Sequence, residues 1–141
     1  MTTSPEEAAI CQTRIKQIAR PMYSNPPIHG ARIVDIILGD PVLEKSWHDD
    51  LTLMSGRMKE MRTALKSGLE KAGSKHNWDH ITSQIGMFAY TGLNKEQVVE
   101  LRDKHAIYMT LNGRISIAGL NTGNVDRIAK AFHDVSKFAK L

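Results

Sequence analysis

The chain contains few of the features that identify several common classes of protein. Its 141 residues include one cysteine, Cys11, which excludes an internal disulfide and favours a reducing compartment. No apolar run approaches the ~18 residues that a membrane-spanning helix needs. Residues 1–7 lack the apolar region of a secretory signal and the arginines of a transit peptide. We therefore expect no association with a membrane.

The chain also lacks a dense stripe of basic residues, although its formal net charge is +4. Its 11 lysines and 8 arginines are scattered among 15 acidic residues, so a nucleic-acid partner is not favoured. A positive balance equally suits a protein whose ligands are small anions. Hydrophobic residues make up 41% and charged residues 24%, which is typical of a soluble domain; the length allows one domain, or one domain with an appendage.

Motifs for metal and nucleophile chemistry are weak or missing. His76 and His80 have the spacing that places two imidazoles on one helix face, but no third ligand is nearby and the glutamate of a His-Glu-x-x-His motif is absent. No Gly-x-Ser-x-Gly segment marks a nucleophilic serine, and no glycine-rich phosphate loop follows a strand. We expect no metal site in this chain.

The first part of the chain is predicted to be helical. Ser4 followed by Pro5 is typical of a helix start, and Pro21 is predicted to end that helix. A second helix is expected over residues 28–38, closed by Gly39.

A third helix is predicted from Asp40 to Gly73, because apolar residues recur every three or four positions without a break. At about 1.5 Å per residue it would span roughly 50 Å, which predicts that it bridges two bodies or bends near Gly56.

The second half of the chain changes character after Gly73. Residues 87–90 are predicted to form a strand, Asn94 to cap a helix that ends near His105, and residues 107–109 and 115–118 to pair as a hairpin. Asn124 is predicted to cap a last helix. Its inner face is expected to comprise Val125, Ile128, Phe132 and Val135. The fold class is therefore α+β and mostly helical, with a small sheet covered by helices and a domain boundary near Asp40.

Two arginines lie in segments bounded by proline or glycine rather than on solvated helix faces. Arg20 begins residues 20–27 (Arg-Pro-Met-Tyr-Ser-Asn-Pro-Pro), and Arg114 lies in residues 112–119 (Asn-Gly-Arg-Ile-Ser-Ile-Ala-Gly). Each guanidinium can hold a carboxylate through two parallel hydrogen bonds, as a dicarboxylic-acid site requires. The pattern alone leaves open that Arg20 is a helix-end cation, that Arg114 is a solvated turn residue, and that the two never meet.

With residues 84–93 (Gln-Ile-Gly-Met-Phe-Ala-Tyr-Thr-Gly-Leu) between them, these segments resemble the C-terminal part of the aspartate aminotransferases. These are class I aminotransferases of fold type I that depend on pyridoxal phosphate (PLP). The resemblance runs from about Ser4 to the end of the chain. It implies that residues 1–39 are a helical remnant of the large PLP-binding domain. Residues 40–141 would be the small domain together with the long interdomain helix.

The resemblance assigns roles to particular residues. Arg20 matches the family arginine that enters the neighbouring subunit's active site and pairs with the distal carboxylate of the substrate. Arg114 matches the arginine that holds the α-carboxylate, and Phe88 matches a phenylalanine that lines the pocket; the pattern alone would place Phe88 in the sheet core. Tyr23 and Ser24 are expected to orient Arg20.

The resemblance also implies what the intact enzyme does. It would transfer an amino group between L-aspartate and 2-oxoglutarate, giving oxaloacetate and L-glutamate, as a homodimer in the cytosol or the mitochondrial matrix. PLP would be held by a lysine that precedes the region represented here. None of the 11 lysines lies in a comparable segment, so we expect no catalytic residue in this chain and no activity from it alone. The alternative is a non-catalytic module that pairs with a full-length aminotransferase subunit.

Overall fold

The computed structural model describes residues 2–137. In chain order the elements are α1 (Pro5–Tyr23), α2 (His29–Gly39), α3 (Pro41–Lys71), α4 (Asp79–Ser83), β1 (Phe88–Tyr90), α5 (Lys95–His105), β2 (Arg114–Ser116), a 3-10 helix (Ile117–Gly119) and α6 (Val125–Ser136). The mostly helical α+β class is thereby confirmed. The chain forms two compact units, which divide between His48 and Asp49, inside α3. Across residues 2–137, no helix combines the length and the apolar composition needed to cross a bilayer.

Helix α1 begins as predicted but ends later. Ser4 caps it, with Oγ accepting a hydrogen bond from the Glu7 amide at 3.2 Å. The prediction that Pro21 ends the helix is wrong, because α1 continues to Tyr23. Proline removes one amide donor, and so close to the helix end the loss is confined to the last turns. The helix stops at Ser24, whose φ of 64° is incompatible with a right-handed helix.

Helices α1 and α2 bury no residue. Their apolar side chains, among them Ile18 and Ile36, stay exposed to solvent. After α2, Asp40 caps α3: its Oδ1 accepts hydrogen bonds from the amides of Val42 at 2.8 Å and Leu43 at 3.2 Å. The first unit is therefore organised by local capping rather than by a core of its own.

Helix α3 is the longest element, at 31 residues, and runs without interruption through Gly56. The predicted stop is confirmed, since α3 ends at Lys71 and Gly73 follows with a φ of 84°. Only its second half contributes buried side chains, including Leu65 and Leu69. The boundary between the two units falls within this one helix.

The second unit has a hydrophobic core to which α3, α4, α5, α6 and the strands all contribute. Its largest fully buried apolar side chains are Leu65, Leu69, Trp78, Ile81, Leu101, Ile117 and Phe132. Helix α6 faces this core with Val125, Phe132 and Val135 as predicted, and Ile128 is partly buried against it. This core holds the two strands in place from one side.

The sheet has two strands, and its pairing differs from the predicted hairpin. Strand β2 pairs antiparallel with β1, placing Phe88 opposite Ser116, Ala89 opposite Ile115 and Tyr90 opposite Arg114. Residues 107–109 form no strand, and residues 117–119 form a 3-10 helix.

The capping of α5 explains this difference. Ala106 adopts a left-handed conformation, with φ 51°, and the Ile107 amide donates to the Leu101 carbonyl. The amide at the start of the expected strand is thus used to close the helix. The start of α5 is as predicted: Asn94 and Gln97 form a reciprocal capping box.

The expected side-chain cap of α6 is absent. Asn124 lies at the cap position but does not bond an amide of the helix. Its Oδ1 accepts from the Asn121 amide at 2.8 Å, and its Nδ2 donates to the Gly119 carbonyl at 3.0 Å. Asparagine side chains bond nearby loop groups as readily as helix amides, and here the preceding loop has both a donor and an acceptor in reach.

Candidate functional site

One face of the two-stranded sheet carries an arginine stacked on an aromatic ring. Side chains alternate along each strand, so Ala89 and Ile115 point into the core, while Phe88 and Arg114 share the opposite face. The Arg114 Cζ lies 4.8 Å from the centroid of the Phe88 ring, within the range of a cation–π contact. Phe88 is 48% exposed, so it is a surface residue of the sheet and not a core residue.

A compact turn fixes where Arg114 begins β2. The Thr110 Oγ1 donates to Asn112 Oδ1 at 2.6 Å and lies 2.8 Å from the Arg114 carbonyl oxygen. Asn112 Oδ1 also accepts from the Arg114 amide at 3.2 Å. The Arg114 backbone is therefore held on both sides by polar side chains, rather than lying in a free turn.

The Arg114 guanidinium itself is exposed and available to a ligand. Within residues 2–137, no carboxylate lies within ion-pair distance of it. A guanidinium that lies over a ring can keep the N–H groups at its edge for an acceptor. The arrangement is suited to binding a carboxylate.

Gly113 allows this turn to lie against the segment after β1. Its φ is 80°, and a Cβ added there would lie 2.5 Å from the Leu93 carbonyl oxygen. Its own carbonyl accepts hydrogen bonds from the amide and the hydroxyl of Thr91, both at 2.9 Å. The position thus requires glycine for its conformation and for the space around it.

We expect Gly113→Ala to destabilise the protein by about 2–4 kcal/mol, as the sum of left-handed strain and a backbone clash. Gly92→Ala is the matched control, since its φ is 83° but nothing lies within 4 Å of an added Cβ. That variant should lose only about 1 kcal/mol. Thermal unfolding of the intact protein measures the difference, and equal losses for the two variants would contradict the close approach to Leu93.

The backbone of β1 is held from its outer edge by two polar side chains, those of Arg62 and Gln84, to which no sequence motif assigns this role. Arg62, on α3, is 3% exposed and donates to the carbonyls of Ile81 at 2.7 Å, Gly86 at 2.9 Å and Phe88 at 2.7 Å. Gln84 donates to the Tyr90 carbonyl at 3.1 Å and accepts from its amide at 2.8 Å. These bonds satisfy the strand edge that does not face β2.

A local signal for Arg62 is present in the sequence. Met58, Met61 and Leu65 lie four residues before, one before and three after it, so a helix places Arg62 in an apolar stripe. Burial lowers the pKa of its guanidinium, which nevertheless stays charged at neutral pH. A charged residue at such a position needs polar partners from elsewhere in the fold.

Arg20, Tyr23 and Ser24 lie in the first unit, at the end of α1. All three are exposed, and the Arg20 carbonyl accepts a hydrogen bond from the Ser24 amide at 3.1 Å. The Arg20 guanidinium has no ion pair among the residues the structure describes. Arg20 is a helical residue in the last turn of α1, because the helix continues past Pro21.

The two spaced histidines act as links within the second unit. The His76 Nε2 donates to the Ser136 carbonyl at 2.8 Å, and the His80 Nε2 donates to the Thr91 carbonyl at 3.2 Å. Among the residues that the structure describes, no three His, Cys, Asp or Glu side chains form a group able to hold a metal ion.

The fold and the arginine-bearing sheet agree with the comparison to protein families. The model of aminotransferase class I and II matches residues 5–132, and the chain belongs to this family. Among its relatives, mitochondrial aspartate aminotransferase from Arabidopsis thaliana is 51% identical over 133 residues, covering 94% of this chain and 31% of the relative. The enzyme of the same name from Gallus gallus is 52% identical over 132 residues, with 94% and 31% covered.

Solved structures give the same result. A mitochondrial aspartate aminotransferase from Trypanosoma brucei matches with a TM-score of 0.92 and 48% identity, covering 96% of this chain and 35% of that one. An aromatic-amino-acid aminotransferase from Burkholderia pseudomallei, covalently bound to pyridoxal phosphate, matches with a TM-score of 0.91 and 41% identity, covering 96% and 34%. The chain thus spans about a third of the length of these relatives.

Proposed function

We propose that this chain is the C-terminal part of an aspartate aminotransferase. The intact enzyme would move an amino group between L-aspartate and 2-oxoglutarate, giving oxaloacetate and L-glutamate. The observation that carries the proposal is the exposed Arg114 guanidinium lying over the Phe88 ring without a carboxylate partner. A site of this kind, in a chain about half identical to enzymes of that name, is best explained as the holder of a substrate carboxylate.

In this proposal Arg114 binds the α-carboxylate, which all amino-acid and oxo-acid substrates share. Its planar fork accommodates the two carboxylate oxygens through charge-assisted hydrogen bonds. Phe88 provides the apolar wall that supports the guanidinium and excludes water from one side of it, which strengthens those bonds.

Arg20 is proposed to bind the distal carboxylate from the neighbouring subunit of a homodimer, with Tyr23 and Ser24 orienting it. The exposed apolar side chains of α1 and α2 support association with further protein, because helices that bury no residue need a partner for their apolar stripes. Residues 1–39 would then belong to the large PLP-binding domain, and residues 40–141 to the small domain.

PLP is the proposed cofactor of the intact enzyme, where it would supply the electron sink for amino-group transfer. This chain would not bind it covalently, since none of its lysines lies in the kind of segment that the family uses. Its own residues bind and orient the substrate. Water exclusion would come from closure of the small domain over the bound acid. Either the cytosol or the mitochondrial matrix would suit this activity.

The proposal predicts a large difference between the intact protein and this chain. The intact protein should form oxaloacetate from aspartate and 2-oxoglutarate in the presence of PLP, and the 141-residue chain should stay at the background rate. A coupled assay that reduces the oxaloacetate measures the rate of each protein. Turnover by the chain alone would contradict the proposal that the lysine that binds PLP lies outside this chain. An inactive intact protein would contradict the proposed function itself.

The exposed faces of α1 and α2 also favour the second candidate, a module that pairs with a full-length subunit. Mixing the chain with the intact protein and measuring the native mass distinguishes this module from a fragment of the enzyme that does not associate. A stable mixed dimer favours the module. Persistence of the separate species excludes it.

A further inference from the structure

Arg62 is the one described arginine that is buried, and its surroundings are unusual for a buried charge. Its partners are three backbone carbonyls, those of Ile81, Gly86 and Phe88, at 2.7–2.9 Å. Its side chain forms no ion pair with a carboxylate within residues 2–137. Removing a guanidinium from water is strongly unfavourable. Here the hydrogen bonds to the three carbonyl groups, whose dipoles point their negative ends at the charge, offset that cost.

The three carbonyls lie in α4 (Ile81), just before β1 (Gly86) and at the first residue of β1 (Phe88). Those of Gly86 and Phe88 accept from the same Arg62 nitrogen, Nη2. The intervening carbonyl, that of Met87, accepts from the Ile117 amide at 2.8 Å on the opposite side. The strand start is therefore fixed from both edges, by α3 on one side and by the segment after β2 on the other.

Residues 85 and 86, just before β1, pack against little of the remaining protein. Ile85 is 92% exposed, and Gly86 has a φ of 88° with nothing within 4 Å of an added Cβ. Few packing contacts and exposed backbone are typical of segments that open locally. The arginine provides a rigid connection from the core helix α3 to the first residue of β1.

We propose that Arg62 is a positioning residue for carboxylate binding: by holding the Phe88 backbone it fixes the ring on which the Arg114 guanidinium lies. The inference rests on the proposed function, since it concerns the same carboxylate site. Arg62 does not touch the substrate. It acts through the 2.7 Å bond to the Phe88 carbonyl and the 4.8 Å contact of Phe88 with Arg114.

Arginine is suited to this role because its fork reaches three acceptors in fixed directions, whereas a lysine ammonium is a compact charge on a flexible stem. Arg62→Lys keeps the charge and loses part of the geometry. Arg62→Met keeps the apolar stem and leaves three carbonyls without this donor. The two variants therefore separate the charge from the positioning.

The test uses the intact protein with PLP. Weaker α-carboxylate binding in both the ground state and the transition state raises KM and leaves kcat unchanged. We expect Arg62→Lys to raise KM for aspartate and for 2-oxoglutarate by about 5-fold each, Arg62→Met by about 30-fold, and kcat to stay within about 3-fold. The dissociation constant for succinate, a dicarboxylate that cannot react, should rise by the same factors in calorimetry.

Arg127→Lys is the matched control, because Arg127 also donates to a backbone carbonyl, that of His105 at 2.8 Å, but this carbonyl lies at the end of α5 and not in a strand. It should leave KM and succinate binding unchanged. A lower melting temperature of the Arg62 variants with unchanged KM and succinate affinity would overturn the inference, since it would show a structural role only. If Arg62→Met does not fold, Arg62→Lys decides the matter alone.

Failure of the proposed function and failure of the inference on Arg62 give different experimental results. If the unaltered protein neither transfers amino groups nor binds succinate, the proposed function fails and this inference fails with it. If the unaltered protein does both and the Arg62 variants bind succinate equally well, only the inference on Arg62 is overturned.

Discussion

Arg114→Ala in the intact enzyme should lower kcat/KM by about 10³-fold for every amino-acid and oxo-acid substrate. The reason is the bidentate hydrogen bonding that a guanidinium gives to a carboxylate. Removing one partner of a desolvated charge pair typically raises the free energy of the complex by about 3–5 kcal/mol, and each 1.4 kcal/mol corresponds to about tenfold. Steady-state kinetics with aspartate, alanine and 2-oxoglutarate would measure the effect.

Two controls accompany this variant. Arg114→Lys keeps the positive charge without the planar fork, and should recover about tenfold of the loss. Arg102→Ala removes an exposed arginine that pairs with Asp103 at 2.8 Å, and should leave the kinetics unchanged. If Arg114→Ala slowed dicarboxylates and spared alanine, the arginine would hold the distal carboxylate and the assignment would be wrong.

The elements that the sequence predicts well are those specified by neighbouring residues. Asn94 and Gln97 lie three positions apart and form the capping box of α5. Asp40 caps α3 within its first turn, and Gly73 follows its end. Such signals operate over a few residues, so the chain reveals them without knowledge of the fold.

Strand pairing could not be predicted in the same way. The segments that contain Phe88 and Arg114 are distant in sequence, and their register depends on the core behind Ala89 and Ile115. A turn at residues 111–114 predicts a local hairpin, but the Ile107 amide is used to close α5. Tertiary contacts outweighed the local turn signal.

The candidate site shows the same division. The resemblance identifies Arg114 and Phe88 individually, and their contact becomes visible only when the register places them on one face. Arg62 was missed because an arginine in an apolar stripe is ordinarily a solvated edge residue with a buried stem. Its three carbonyl partners lie 19, 24 and 26 residues after Arg62 in the sequence, beyond the reach of any helix-based rule.

Arg20→Ala should impair dicarboxylates selectively. If Arg20 binds the distal carboxylate, the variant should lose about 10²–10³-fold in kcat/KM for aspartate, while alanine, which has no distal carboxylate, should change by less than about threefold. The ratio of the two specificity constants is the decisive quantity. Equal slowing of aspartate and alanine would contradict the assignment, because a general defect cannot distinguish the substrates.

The placement of Arg20 in the neighbouring subunit can be tested by combining the two arginine variants. In a mixed dimer of Arg20→Ala and Arg114→Ala subunits, an arginine supplied across the interface leaves one site with both changes and the other with neither. Random mixing of equal amounts should therefore restore about a quarter of the unaltered activity from two nearly inactive parents. If Arg20 served its own subunit, each site of the mixed dimer would carry one change, and mixing would restore nothing.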